Sequence, residues 1–317
     1  MNGPIDAVIT WVDGYDAHHQ QKLNHYLTTH GLLRPESAAA TRFNQCGEIG
    51  FCVRAILHFA PWIRTIHIVT DNQTPDIIKE LSTTFFRHKL NIVDHQVIFA
   101  GFTDYLPTFN SLTIESVLWR IPNLAEHFIY FNDDCFLIRP VKPEDFFRNS
   151  AMVMRGSWKT FSDKRWRLPF MRSKPVPPHR LTQEKSAQCI TDKRHYFYLE
   201  HLPFALKKST MAAFFEQHPQ IWQQNLVHRF RHPTQIWSVS VAYHWAFKHK
   251  QALVDNTLHG ITIHSQFHSK AKILRRLQRA KAPNVAFLCL QSLDTCQTNL
   301  LEIILNWLNE RIPHLGV

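Results

Sequence analysis

Glycine is scarce here, with nine in 317 residues, and no tract is low in complexity or internally repeated. A disordered or repeat architecture is thereby excluded. None of the six cysteines (Cys46, Cys52, Cys135, Cys189, Cys289 and Cys296) forms a C-x-x-C pair, and several lie inside apolar runs such as Phe51-Cys52-Val53 and Phe287-Leu288-Cys289-Leu290. They read as small buried hydrophobes of a reducing compartment, not as a disulfide framework or a zinc site. No stretch approaches the roughly 18 apolar residues of a membrane span. The opening residues Met1 to Asp6 carry neither the basic nor the apolar region of a signal peptide. The expectation is a cytoplasmic protein whose membrane contact, if any, is peripheral at the inner face. No H-E-x-x-H spacing occurs among the 21 histidines, and no RNA-binding signature or zinc finger is present. Acids are also in deficit, 25 against 36 Lys and Arg, for a formal charge of +11. Such a balance favours anionic partners (nucleotides, phosphates, an anionic membrane face), and the missing motifs argue against nucleic acid.

What is present is a set of apolar, β-branched runs that stop at acids. Ala7-Val8-Ile9-Thr10-Trp11-Val12 ends at Asp13-Gly14-Tyr15-Asp16, Ile63 to Thr70 ends at Asp71, and Phe128-Ile129-Tyr130-Phe131 runs into Asn132-Asp133-Asp134. Asn91 to Phe99 is a further strand candidate. Between them, 18–30, Glu48 to Phe59 and Thr113 to Arg120 read as helices, the last capped by Asn110 or Ser111. Strands alternating with helices predict an α/β fold with a mostly parallel sheet flanked by helices. Ligands bind outside the carboxyl ends of such strands, where these acids fall. Residues 1–147 read as an α/β core, nucleotide-sugar-binding on the family resemblance given below. Residues 148–190, rich in Arg, Lys and Pro, read as an irregular basic connector or insertion. Residues 191–317 read as a helical part completing the site, with helices over 202–218, 236–247, 270–281 and 300–308.

Divalent Mg²⁺ or Mn²⁺ prefers oxygen ligands, and one or two carboxylates plus substrate phosphates suffice to hold it. Asn132-Asp133-Asp134 has that character. An isolated acidic pair after a strand is more often a turn or a cap, and the recurrence at three strand ends is what favours a site. His201, before Leu202-Pro203, and Arg229 and Arg231, around Phe230, read in isolation as a core histidine and surface charges.

Taken together, these segments resemble the Stealth family of polysaccharide phosphotransferases. Ile5 to Asp16 is similar to its first block. Arg42-Phe43, Glu48, Arg54, Ala60-Pro61-Trp62-Ile63, Leu106 to Ser111, Ile114-Glu115-Ser116 and Phe128 to Asp134 follow its second. Glu200-His201-Leu202-Pro203 with Arg229 to His232 resembles the third, and Phe287 to Leu290 the fourth. Where the fourth block commonly continues Asn-Asp, this chain has Gln291-Ser292, which leaves any ligand role there in doubt.

The resemblance implies a GT-A-like, nucleotide-sugar-transferase-like fold. It also implies transfer of hexose-1-phosphate, of the N-acetylhexosamine type, from a UDP-sugar to a glycan hydroxyl with release of UMP. Asp133 and Asp134 would hold Mg²⁺ or Mn²⁺. Asp13, Asp16 and Asn132 would shape the donor pocket. Arg42, Arg54 and Arg231 would neutralise phosphate, and Asn110 and Glu115 would contact the sugar or orient an arginine. His201 would be the base. The acceptor would be a glycan, in the lipid-linked case presented at the membrane. The patterns alone do not separate this chemistry from ordinary glycosyl transfer with release of UDP.

Overall fold

The structure, a computed structural model, is described over residues 3–163, 176–191 and 193–315. Its strands are β1 (Ile5–Thr10), β2 (Ile66–Thr70), β3 (Leu90–Asp94), β4 (His127–Asn132), β5 (Cys135–Leu137), β6 (Phe147–Arg148), β7 (Ala151–Met154), β8 (Gly156–Thr160), β9 (His195–Leu199), β10 (Phe204–Lys207), β11 (Ala252–Val254), β12 (His259–His264) and β13 (Val285–Gln291). The central sheet has the order β10-β4-β1-β2-β3. Its first four strands in sequence are parallel, and β10 is antiparallel on the β4 edge. The fold is therefore the expected α/β class with a mostly parallel sheet. Strands β1, β2 and β4 are buried almost throughout, as a sheet covered on both faces requires. A second sheet, β12-β13-β5, abuts the first, joined to it by the two-residue link Asp133-Asp134 between β4 and β5. The helix Glu48–Phe59 packs on β5 and is buried over most of its length.

At the amino end of the central sheet, opposite the acids, Asp6 is fully buried. It accepts from Arg64 Nε and Nη2 (2.9 and 2.5 Å) and the Ala125 amide (2.8 Å), with His67 Nε2 at 3.3 Å. Burial would raise this carboxyl, yet these partners lower it to about 2.

Several expectations change. The described residues of 148–190 are not irregular, because they include β6 to β8 and the helix Pro178–Gln188. Lys164, Arg165, Arg167, Arg172, Lys174 and Pro175 of that basic stretch lie outside the described residues. The helix expected from Leu202 begins only at Lys208. Phe204–Lys207 is taken up as β10 by the open backbone edge of β4, since a short apolar run does not itself choose between helix and strand. The described residues of the part 191–317 thus hold five strands besides their helices. Likewise the third strand stops at Asp94, whose side chain accepts from the Gln96 amide and caps the short helix His95–Ile98.

Candidate active site

Topology alone brings three distant segments together. Strand β4 runs toward Asn132. Strand β10 runs the other way, with Phe204 opposite Tyr130, so the residues just before it, including His201, lie beside the end of β4. Strand β13 is antiparallel to β5 with Cys289 opposite Cys135, and its Leu290 amide donates to the Asp134 carbonyl (2.9 Å). Residues 132–135, 201 and 289 therefore share one place. Gly156 helps to set it. Its φ is +148°, and a Cβ there would lie 2.0 Å from the Tyr198 carbonyl oxygen, so only glycine lets β8 pair with the strand that leads into His201.

A chain of polar contacts runs through the cluster. Thr10 Oγ1 and Tyr130 Oη are 2.9 Å apart, and Tyr130 Oη donates to Asn132 Oδ1 (2.8 Å). That turns the Asn132 amide nitrogen toward His201 Nε2 (3.2 Å), which also lies 3.4 Å from Asp134 Oδ1. The thiols of Cys135 and Cys289 point at the same carboxylate, 3.4 Å from Oδ1 and 3.6 Å from Oδ2. Burial alone would lower the His201 imidazole, but the Cys135 thiol and the Asp134 carboxylate outweigh it and hold His201 well above its ordinary value. Burial would raise Asp134, and His201 keeps it below the usual carboxylate range. Asp133 is different. Burial, then Asp134 and Glu48, push it well above the ordinary value. Burial also raises Glu48, with Asp134 and Asp294 adding to it. Asp133 and Glu48, both raised by burial and by the charge of Asp134, are carboxyls that a hard divalent ion would relieve.

Behind the cluster is a buried layer. Glu115 Oε2 accepts from Trp237 Nε1 (2.5 Å). Burial raises its carboxyl to about 7, against lowering by Trp237, Arg231, Tyr130 and His201. Arg231 is exposed, donates to Ser111 Oγ (2.8 Å), and faces Arg42 and Glu115 electrostatically. Arg42 ends the short turn Ala40–Arg42 and is exposed. That turn touches Gly14, whose amide donates to the Phe43 carbonyl (2.7 Å) and whose Cβ would meet Phe43 at 2.6 Å.

The structure thus brings together Asn132, Asp133, Asp134 and His201, with Glu115, Arg231 and Arg42 as neighbours. It gives other residues different company. Asp16 caps the helix Ala17–Thr29 through the His19 amide (2.8 Å). Asp13 accepts from the Tyr15 amide, its own backbone held by Gln73 at 2.9 Å on both sides. Arg54 is buried against Glu80 (3.4 Å) and the Phe51 ring. Asn110 is fully buried and caps Ser111–Glu115, and its amide nitrogen donates to the His228 carbonyl and Gln235 Oε1. Its bonds pin the segment that carries Arg231.

Glu48, Tyr130, Trp237, Cys135, Cys289 and Asp294 join the cluster through tertiary contacts. Glu48, Tyr130 and Cys289 lay within the family-like blocks. Asp294 accepts from Thr41 Oγ1 (2.6 Å) and Asn44 Nδ2 (3.1 Å), tying the segment after β13 to the turn that bears Arg42. His264, at the end of β12, lies in the field of Asp134, and its buried Nδ1 makes no hydrogen bond among the described residues.

The sequence matches Stealth protein conserved region 1 over residues 3–31 and conserved region 2 over residues 42–154. These regions contain Asp13, Asp16, Arg42, Arg54, Asn110, Glu115 and Asn132 to Asp134, while His201 and Arg231 lie outside them. The receptor polysaccharide phosphotransferase WefC of Streptococcus oralis is 30% identical over 258 residues, covering 74% of this chain and 76% of that one. The chain belongs to the Stealth family. Among other relatives, an exopolysaccharide phosphotransferase of Streptomyces coelicolor, SCO6023, is 37% identical over 250 residues (76% of this chain, 39% of the relative). The capsular polysaccharide phosphotransferase fcs1 of Haemophilus influenzae is 41% identical over 150 residues (47% and 39%). The chain spans about two fifths of the length of these last two. Among solved structures, the galactosyltransferase LgtC with donor and acceptor sugar analogs matches at a TM-score of 0.47 and 10% identity, over 98% of this chain and 97% of that one.

Proposed function

We propose that this chain transfers hexose-1-phosphate from a UDP-sugar to a glycan hydroxyl. The acceptor oxygen bonds to the β-phosphorus, the bond from that phosphorus to the bridging oxygen breaks, and UMP leaves. The observation that carries this reading is the convergence of Asn132-Asp133-Asp134 and His201 at the carboxyl end of β4, in a chain whose relatives are polysaccharide phosphotransferases. N-acetylhexosamine donors are the expected type. The acceptor is a capsular or related surface glycan.

Phosphoryl transfer is mostly positioning and electrostatics. Asp133 and Asp134 would hold Mg²⁺ or Mn²⁺, which when bound would neutralise charge on the diphosphate. Arg231 and Arg42, exposed side by side, reach for phosphate oxygens, with Ser111 and buried Glu115 fixing the direction of Arg231. His201 takes the proton of the acceptor hydroxyl. Only the neutral imidazole can do so. Asn132 Nδ2, donating to Nε2, favours that form, whereas Asp134 favours the protonated one. Tyr130 and Thr10 hold the Asn132 amide in this orientation.

The test is a panel of UDP-sugars with Mg²⁺ or Mn²⁺ and a short capsular oligosaccharide, with the released nucleotide identified. The expected result is UMP, lost with EDTA and with Asp134→Ala. Release of UDP would mean glycosyl transfer and would overturn the phosphoryl mechanism.

Contact with a membrane belongs to the same reading. No helix among the described residues is long and apolar enough to cross one. The helix Lys270–Arg279 carries Lys272, Arg275, Arg276 and Arg279, and Phe267 beside it is 72% exposed. Such a basic, partly apolar surface docks on anionic lipid. Flotation with anionic but not neutral vesicles at low salt is expected, and no flotation with either would exclude docking.

A further inference from the structure

Among the described residues, one group of three or more His, Cys, Asp and Glu side chains could hold an ion, and it is not composed of oxygen donors alone. Asp134, Cys135, His201 and Cys289 offer a carboxylate oxygen, two sulfurs and one imidazole nitrogen, all within 4.8 Å of one another. A hard ion has no use for the two sulfurs, and zinc-like ions select them. We propose that these four side chains form a four-coordinate site for a thiophilic divalent ion of the Zn²⁺ class, which shares Asp134 with the oxygen-bound Mg²⁺ or Mn²⁺ expected on Asp133-Asp134 but differs from it in chemistry.

The geometry favours a tetrahedron. With zinc bonds of about 2.3 Å to sulfur, about 2.05 Å to nitrogen and about 2.1 Å to oxygen, tetrahedral angles put nitrogen about 3.4 Å and sulfur about 3.6 Å from oxygen. His201 Nε2 and Cys135 Sγ each lie 3.4 Å from Asp134 Oδ1, and Cys289 Sγ lies 3.6 Å from Oδ2, so the carboxylate must turn for all three to surround one oxygen.

The sulfurs are held in place by the sheet. Cys135 and Cys289 are register partners across β5 and β13, 1% and 0% exposed, with both thiols aimed at Asp134. The Leu290 amide bonds the Asp134 carbonyl, while the Asn132 Nδ2 contact to His201 Nε2 gives way when the ion binds. An entry path exists, because the Asp134 and His201 side chains are 23% and 32% exposed. Binding releases the two thiol protons and the proton on His201 Nε2 to solvent, so affinity rises with pH. The ion would occupy Asp134 and His201 and thus compete with turnover. That consequence rests on the function proposed above, whereas the binding itself does not.

The experiment uses the full chain, reduced with a phosphine and stripped of metal, titrated with Co²⁺ as a spectroscopic stand-in for Zn²⁺. The expected result is a near-ultraviolet thiolate-to-cobalt band with visible bands of tetrahedral intensity, all displaced by Zn²⁺ and not by Mg²⁺. Cys289→Ser and His201→Gln should each weaken binding at least about tenfold, and Cys135→Ser combined with Cys289→Ser should abolish the band. No band, or a band unchanged in the double variant, would overturn the proposal. If the buried substitutions prevent folding, X-ray absorption of the Zn²⁺-loaded wild-type chain decides. Two sulfur and two nitrogen or oxygen neighbours would support the site, and a shell without sulfur would refute it. Neither readout depends on activity, so failure here leaves the phosphotransferase reading standing, and loss of that reading leaves this one standing.

Discussion

Glu115 is the residue whose substitution makes the sharpest quantitative test. It is 4% exposed, and its carboxyl is raised from 4.5 to about 7 because burial penalises the charged form more than Trp237 and Arg231 favour it. Each tenfold in proton affinity is worth about 1.4 kcal/mol, so this difference amounts to about 3 kcal/mol. The sign follows from linkage. Between the two values the folded chain keeps a proton that the unfolded chain has released, so the unfolded state gains as pH rises. The stability tied to that proton is complete below 4.5 and is lost as pH climbs through about 7. Glu115→Gln keeps an oxygen to accept from Trp237 Nε1 but has no charge to bury. The stability difference between variant and wild type should therefore shift in the variant's favour by about 3 kcal/mol from pH 4.5 to 7.5, then stay flat. Urea unfolding followed by tryptophan fluorescence at half-unit steps of pH measures it. Parallel stability curves for the two proteins would refute the claim that this carboxyl is displaced. Under the proposed function the same variant should lose about tenfold in kcat/KM, because Arg231 no longer faces a carboxylate.

His201→Ala should lower turnover by on the order of 10²–10⁴ without loss of fold, checked by UMP release alongside circular dichroism; full activity would remove His201 as the base. Asp133→Asn relieves the crowding among Asp133, Asp134 and Glu48. In metal-free buffer it should gain on the order of 1 kcal/mol in stability while losing the rise in melting temperature that Mg²⁺ confers on wild type. Calorimetry with and without Mg²⁺ reads both. At the other end of the sheet, Asp6 is lowered from 3.8 to about 2. Its partners contribute up to about 2 kcal/mol above pH 4, lost as pH falls toward 2, and salt weakens the Arg64 share because that side chain is 44% exposed. Asp6→Asn should thus destabilise the protein at pH 7 and converge with wild type in acid, seen by denaturant titration at several pH values.

The local pattern was sufficient for the parallel sheet. Runs such as Ala7 to Thr10 and Phe128 to Phe131 are apolar enough that only a sheet covered on both faces buries them, and their acidic ends mark the carboxyl side. The pair Asp133-Asp134 was legible for that reason, and His201 only through its resemblance to a family block. Other roles were decided by neighbours that sequence distance conceals. Whether Asp16 caps a helix or meets a ligand depends on the His19 amide. Whether Arg54 meets phosphate depends on Glu80. Asn110, 118 residues before His228, could not be read as a pin without the fold.

The cysteines show the division most clearly. Apolar flanks determined that Cys135 and Cys289 are buried, and the sequence does determine this much because burial is a local property of the strand. Their facing each other across two antiparallel strands, with both thiols on the carboxylate beside His201, was decided by register and sheet order. Those depend on contacts between segments more than 60 residues apart, whose free energy no local pattern encodes.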